Sequence, residues 1–290
     1  MTPARGPSLI LAAAALFGTI GTARLLGPDA PAAGVGAVRA GLAAIVLVAV
    51  ARARAQGGWV AQLRRGPTVV AGIAQAAFQV TFLAAVVQTG VAVGTLVAIG
   101  SAPLLAGLLT RQATRSWLFA TGVAVAGLVL LVLGGGGTRL APTGLLLALG
   151  AGASYATYLV ATARALDDGA APALVTAVAF GLAAALLSPA LLLTDLGWLG
   201  TGSGWLMVVY LALVPTVLAY RLLADALTRL PPATAQTLAL AEPVVATVLG
   251  VLVLGERLSP VGWVGAALVL AGLGLVARRP ASNGATARHR

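Results

Sequence analysis

Gln75, Phe78, Gln79 and Phe82 fall at i, i+3, i+4 and i+7 of an apolar segment, so two amides and two aromatic rings share one helical face. Such a stripe suits an amphiphilic organic solute better than a bare ion, although it could equally knit its helix to its neighbours. Tyr155, Tyr158 and Thr162, with Ser154 beside them, repeat the pattern in a later segment. Tyrosine joins an apolar ring to a hydroxyl that needs a partner. Charge enters at Arg221 and Asp225, four residues apart and able to pair on one face. The next segment carries Gln236 and Glu242, the latter immediately before Pro243. Counted from the turn at Pro231-Pro232, Arg221 and Glu242 lie at similar depth, about 12 to 15 Å, which makes a contact between them feasible. The cluster of Arg221, Asp225 and Glu242 either neutralises itself or grips an ionised solute. Proton coupling through Glu242 or Asp225 stays open at this point.

Three further residues point to movement rather than recognition. Arg39 sits about a third of the way into its segment, where a gating role fits better than direct contact with a solute. Pro103 and Pro243 each remove a helical hydrogen bond at corresponding places and are expected to bend their helices as hinges.

Other chemistries lack their residues. The chain has no cysteine, and its one histidine, His289, lies in the tail, so thiolate nucleophiles, disulfides and metal-ligating clusters are not expected. No serine has an evident base, which argues against an enzyme. The run Gly134-Gly135-Gly136-Gly137 is followed by no Lys-Ser/Thr, so it is no phosphate loop, and ATP-driven work by this chain is not expected. No cofactor is implied.

These polar residues must be positioned by elements that cross lipid. The 290 residues are 60% hydrophobic and 9% charged, with mean hydropathy +1.01, a composition of polytopic membrane proteins rather than soluble domains. Segments long enough to span run over 8–26, 33–51, 67–89, 92–110, 117–134, 142–164, 172–194, 204–228, 232–254 and 260–277. The first is long enough to be a transmembrane helix rather than a secretory signal. Trp59, Trp117, Trp198, Trp205 and Trp263 fall at or just beyond segment ends, where an indole prefers the interface. The net charge of +11 could invite nucleic acid, but all eighteen basic residues are arginines and thirteen of them fall in termini and loops of a single side. That bias predicts both termini in the cytoplasm and no nucleic-acid partner.

The ten segments read as five said twice. Gly6 and Gly144, Pro31 and Pro172, and Pro103 and Pro243 recur at separations of 138, 141 and 140 residues. The division predicts one repeat at 1–138, a second at 139–280 and a disordered tail at 281–290. Because five is odd, the second copy starts from the opposite side of the bilayer, and inverted repeats of this kind enclose the midplane sites of secondary transporters. The expected fold is therefore an all-α membrane protein of ten transmembrane helices in two inverted five-helix repeats. Small residues such as Gly265 and Gly272 allow close helix packing within one copy or across a seam, leaving monomer and homodimer both open.

The stretches Glu242-Pro243-Val244-Val245-Ala246, Leu254-Gly255-Glu256-Arg257-Leu258-Ser259 and Gly262-Trp263-Val264-Gly265-Ala266 resemble the EamA-type domain of the drug/metabolite transporter superfamily. Arg39 and Tyr220 stand where such proteins often have an arginine in the second helix and a tyrosine in the eighth. The resemblance implies a multi-pass protein of the bacterial inner membrane that exports amino acids or other small metabolites from a central cavity by alternating access. Arg221 and Asp225 depart from the family's usual apolar or aromatic residues, and Leu16-Phe17-Gly18 lacks its common tryptophan. The alternative within the same class is an exporter of cationic drugs or quaternary ammonium compounds that uses Glu242 and Asp225. A channel is a further rival.

Overall fold

A computed structural model describes residues 5–53, 58–111, 113–134, 141–255 and 257–277. The 281–290 tail and most of the glycine run between the halves lie outside these residues. Ten helices in it are long and apolar enough to cross a membrane. They are α1 (Arg5–Leu26), α2 (Ala32–Ala53), α3 (Gly66–Thr89), α4 (Val93–Thr110), α5 (Arg115–Leu133), α6 (Pro142–Asp167), α7 (Pro172–Leu193), α8 (Gly202–Leu227), α9 (Pro232–Leu254) and α10 (Pro260–Ala277). In hydrocarbon every backbone polar group must be satisfied within the chain, which is why apolar runs of this length become helices. Proline stands in the first turn of α3, α6, α7 and α9, where its missing N–H removes no helical bond. Thr114 caps α5 by accepting the backbone N–H of Trp117 at 3.2 Å.

Packing runs chiefly between the halves of the chain, not within them. Helix α3 lies against α6 and α7, while α8 lies against α1 and α2. Likewise α4 meets α6 and α9 meets α1, and the pairs α2–α7, α4–α9 and α5–α10 each join equivalent helices of the two halves. Exchanging α1–α5 for α6–α10 maps these pairings onto themselves. One buried cluster, from Ile10 of α1 to Val269 of α10, draws on all ten helices.

At the α5–α10 contact backbone meets backbone. A β-carbon placed on Gly265 would stand 2.6 Å from the Gly127 carbonyl oxygen, and one on Gly127 would stand 2.7 Å from the Gly265 carbonyl oxygen. The two backbones touch here because neither helix carries a side chain at the crossing.

Helix α7 is interrupted by a turn at residues 188–189 ahead of Ala190–Leu193, and two further breaks fall deeper inside their spans. Helix α8 carries a π-helical turn at Leu213–Leu218, around Pro215, in which the Thr216 hydroxyl donates to the Leu211 carbonyl at 2.7 Å. Helix α9 breaks at Leu240 between Pro232–Ala239 and Ala241–Leu254. Pro243 explains the α9 break, since its ring crowds the carbonyl of residue 239 and it offers no N–H to it. Its counterpart Pro103 is buried in a helix that runs unbroken from Val91 to Thr110. Two of the tryptophans expected at the interface turn inward instead: Trp117 packs on Gly107, and Trp198 joins a small cluster with Met207 and Val208.

Candidate functional site

A cavity of about 740 Å³ lies between the two halves. Helices α1, α2, α3, α4 and α5 contribute to its wall from the first half, and α6, α8 and α9 from the second. The volume is that of a small-molecule site, and its mixture of apolar wall and few polar groups is typical of one.

The stripe on α3 divides at the cavity. Phe78, Gln79 and Phe82 line it, whereas Gln75 is buried below and donates its Nε2 to the Tyr220 hydroxyl at 3.3 Å. On α6, Tyr155 lines the cavity and Tyr158 lies beneath it, almost fully buried. The rings form a continuous chain. Phe82 stacks on Phe78 at 5.4 Å, Phe78 meets Tyr155 at 5.2 Å, and Tyr155 is followed by Tyr158 at 6.5 Å. Tyr158 then meets Tyr220 at 5.6 Å, and Tyr220 contacts Phe17 at 5.1 Å and Phe180 at 4.7 Å. Phe17 and Tyr220 are themselves part of the wall, so the aromatic chain runs from the cavity's side onto its floor.

The helix breaks serve this floor. The π-turn adds a residue to α8 just ahead of Tyr220 and leaves Pro215 and Tyr220 both on the wall. The break at Leu240 starts a new helical segment whose first turn carries Glu242, and Glu242, Pro243, Ala246 and Thr247 line the cavity from there. Negative charge is favoured in the first turn of a helical segment.

Two arginines and one carboxyl side chain line the cavity: Arg39, Arg257 and Glu242. Arg39 comes from α2 in the first half and Glu242 from α9 in the second. The Arg39 Nε is buried without a hydrogen-bond partner. Depth counting made a contact between Arg221 and Glu242 feasible; in the structure Arg39 lines this cavity with Glu242, while Arg221 and Asp225 lie past Tyr220 on α8 and line none of it. Gln236 is 2% exposed, lies on the segment before the α9 break, and has neither amide atom bonded. Pro103 is also off the wall.

Several wall residues were not singled out from sequence. Phe17, Thr95, Thr247, Pro215 and Arg257 all contribute. Pro215 carried a readable signal, since a proline inside an apolar span disturbs its helix; Thr95 and Thr247 look like any threonine bonding its own helix. Among the described residues no group of three or more His, Cys, Asp or Glu could hold a metal ion.

The cavity is not centred along the helices. Ile20 and Gly21 lie near the end of α1, Thr95 and Leu96 near the start of α4, Leu131 and Val132 near the end of α5, and Val251 near the end of α9. Arg257 and Leu258 from the α9–α10 connection complete it. All belong to one face of the bundle, the one opposite Arg5, so the cavity reaches that face and is floored by the Tyr158–Tyr220–Phe180 cluster on the other side.

The Gln75–Tyr220 bond gives a test of the floor. Tyr220→Phe keeps the ring packing but strands the Gln75 amide, whose Oε1 is already buried without a partner. The expected loss is about 1–3 kcal/mol of stability, read as a lower midpoint in thermal unfolding of the purified protein.

Comparison with known proteins agrees with this architecture. Residues 142–278 match the EamA-like transporter family. The chain is 39% identical over 280 residues, 93% of each protein, to the uncharacterized transporter YwfM of Bacillus subtilis. It is 33% identical over 265 residues to the threonine/homoserine exporter RhtA of Escherichia coli K12, covering 87% of this chain and 84% of that one. A solved crystal structure matches with TM-score 0.80 at 24% identity, over 93% of this chain and 95% of the other, and so shares the fold. Ten apolar spans, a solute-sized cavity between the halves and relatives that are transporters along nearly the whole length lead to one assignment: the chain belongs to the EamA-like transporter family.

Proposed function

We propose that this protein is a secondary transporter of the bacterial inner membrane that exports small amphiphilic metabolites, amino acids or close relatives, by alternating access around the central cavity. The observation that carries the reading is a cavity of about 740 Å³ walled by both halves, with Arg39, Glu242, Gln79 and a chain of aromatic rings as its chemistry. The printed activity of RhtA, threonine and homoserine export, supports amino acids as the class.

The halves act as inverted repeats. Five crossings in each reverse the second copy, and the exchange symmetry of the helix pairings supports this duplication. With arginines such as Arg5, Arg52, Arg64, Arg65, Arg111 and Arg115 on the cytoplasmic side, both termini are cytoplasmic. The cavity then opens outward, and its aromatic floor is the closed inner gate. The hairpin between the α8 π-turn and the α9 break carries Tyr220 and Gln236 and is bounded by the two interruptions, which fits it to move when the inner side opens.

Counterflow in proteoliposomes tests this. Vesicles loaded with unlabelled L-threonine are expected to accumulate labelled L-threonine transiently and saturably, with excess amino acid competing and lipophilic cations not. Inhibition by tetraphenylphosphonium instead of amino acids would favour the cationic-drug exporter, and non-saturable flux would favour a channel.

A further inference from the structure

The paired charges of the cavity carry a more specific assignment, which rests on the transporter reading for its physiological meaning but is tested by binding alone. We infer that Arg39 and Glu242 are the specificity-determining residues for a zwitterion, Arg39 holding the solute's carboxylate and Glu242 its ammonium group, with the ammonium directed toward the Tyr220 floor. Both side chains line one cavity, Arg39 from α2 in the first half and Glu242 from α9 in the second. The buried Arg39 Nε has no protein partner, so its guanidinium is not fully committed to the fold. A cation in a bilayer needs an anionic or water-filled counterpart, and the cavity offers that position to a ligand.

The depths of the two residues order the ligand. Measured from the face to which the cavity reaches, Arg39 lies seven residues past Ala32 and Glu242 twelve residues before Leu254. At about 1.5 Å per residue the two backbones sit about 10 and 18 Å deep, an offset of about 8 Å. In an α-amino acid two covalent bonds separate the nitrogen from the carboxylate carbon. A ligand that carries both charges so close together can meet both side chains within the one cavity they line. Its side chain then lies against Phe78, Phe82 and Tyr155, whose rings accept an apolar or hydroxylated group. A solute with one charge satisfies one residue and leaves the other facing the cavity unmatched, which is how a site rejects an analogue that lacks a group. Singly charged cations are therefore poor ligands despite the carboxylate and the rings.

Equilibrium binding to the detergent-purified full chain, read by ligand-induced thermal stabilisation, tests the pairing with three probes. These are L-threonine, its amino alcohol with the carboxylate reduced to hydroxymethyl, and 3-hydroxybutyrate, which lacks the ammonium group. Wild type is expected to bind threonine about 10- to 100-fold more tightly than either analogue. Glu242→Gln should weaken threonine to the level of 3-hydroxybutyrate while leaving that acid's affinity unchanged. Arg39→Gln should mirror this with the amino alcohol. Glu242→Asp and Arg39→Lys preserve charge and should show the same selectivity with smaller losses, which covers a glutamine variant that fails to fold. The inference is overturned if wild type binds the amino alcohol as tightly as threonine, if it binds no threonine, or if each variant weakens all three probes by one common factor. Binding with the expected selectivity but without counterflow would strike the transporter reading and leave this pairing standing.

Discussion

Gly21→Trp abolishes transport without lowering stability. Gly21 lines the cavity one turn beyond Gly18, and a β-carbon built on it meets nothing within 4 Å. The indole therefore projects into the volume a solute must occupy, with no backbone or side chain to displace. A drop of at least about 100-fold in counterflow is expected, since a filled cavity removes binding rather than weakening one contact. Thermal stability should hold, because the new side chain enters open space and displaces no packed atom. Gly18 behaves differently. A β-carbon there would stand 2.8 Å from the Val245 Cβ and 2.9 Å from the Glu242 carbonyl oxygen, so Gly18→Ala should disturb the α1–α9 contact as well as the site. Normal counterflow by the Gly21→Trp protein would mean that solute does not pass through this cavity.

Gly265→Leu has the largest expected effect on stability. The β-carbon would meet backbone of α5 on two sides, and backbone cannot yield as a flexible side chain can. Helices α5 and α10 must then separate along a seam that continues to Gly272, where a β-carbon would stand 2.7 Å from the Ala124 Cβ and 2.8 Å from the Ala120 carbonyl oxygen. Lipid supplies no hydrophobic drive to reclose the gap, so the lost close contact is not offset. Overpacking of this kind costs about 1–3 kcal/mol or more. Adding Gly127→Leu should cost less than the sum, since both replacements open one crossing. Gly122→Leu and Gly274→Leu, whose β-carbons meet nothing within 4 Å, are the matched controls and should melt like wild type. Equal melting midpoints for Gly265→Leu and the controls would contradict the packing described.

The ten spans were legible because length and apolarity alone decide whether a segment can cross lipid. Expected ranges such as 232–254 and 260–277 coincide with α9 and α10, while α6 extends three residues beyond the expected 164 to Asp167, whose charge belongs in the polar boundary. Breaks inside spans were harder to read. The π-turn at Leu213–Leu218 and the interruption at Leu240 depend on local carbonyl crowding by Pro215 and Pro243, whereas Pro103 leaves its helix unbroken. Within the site, periodicity told which residues share a face, and counting told their depth. Neither tells which neighbour a face meets. That is why Phe78, Gln79 and Phe82 were found together on the cavity wall while Gln75, on the same stripe, turned to Tyr220. It is also why Arg221 looked a feasible partner of Glu242 by depth, although Arg39 on α2, for which a structural or gating role was favoured over contact with a solute, shares the cavity wall with Glu242 and Arg221 does not.

The measurement that bears most directly on the whole account is thiol accessibility in native membranes, which the absence of cysteine makes clean. Single cysteines at Thr95, Ala246 and Thr247 on the cavity wall are compared with one at Leu192, an exposed apolar position of α7, using a membrane-impermeant maleimide. Cavity cysteines are expected to react from the periplasmic side and to be protected by L-threonine, with protection lost in Glu242→Gln. Wall cysteines that stay unreactive from both sides, or that react without any protection by an amino acid, would contradict a water-filled solute chamber between the halves.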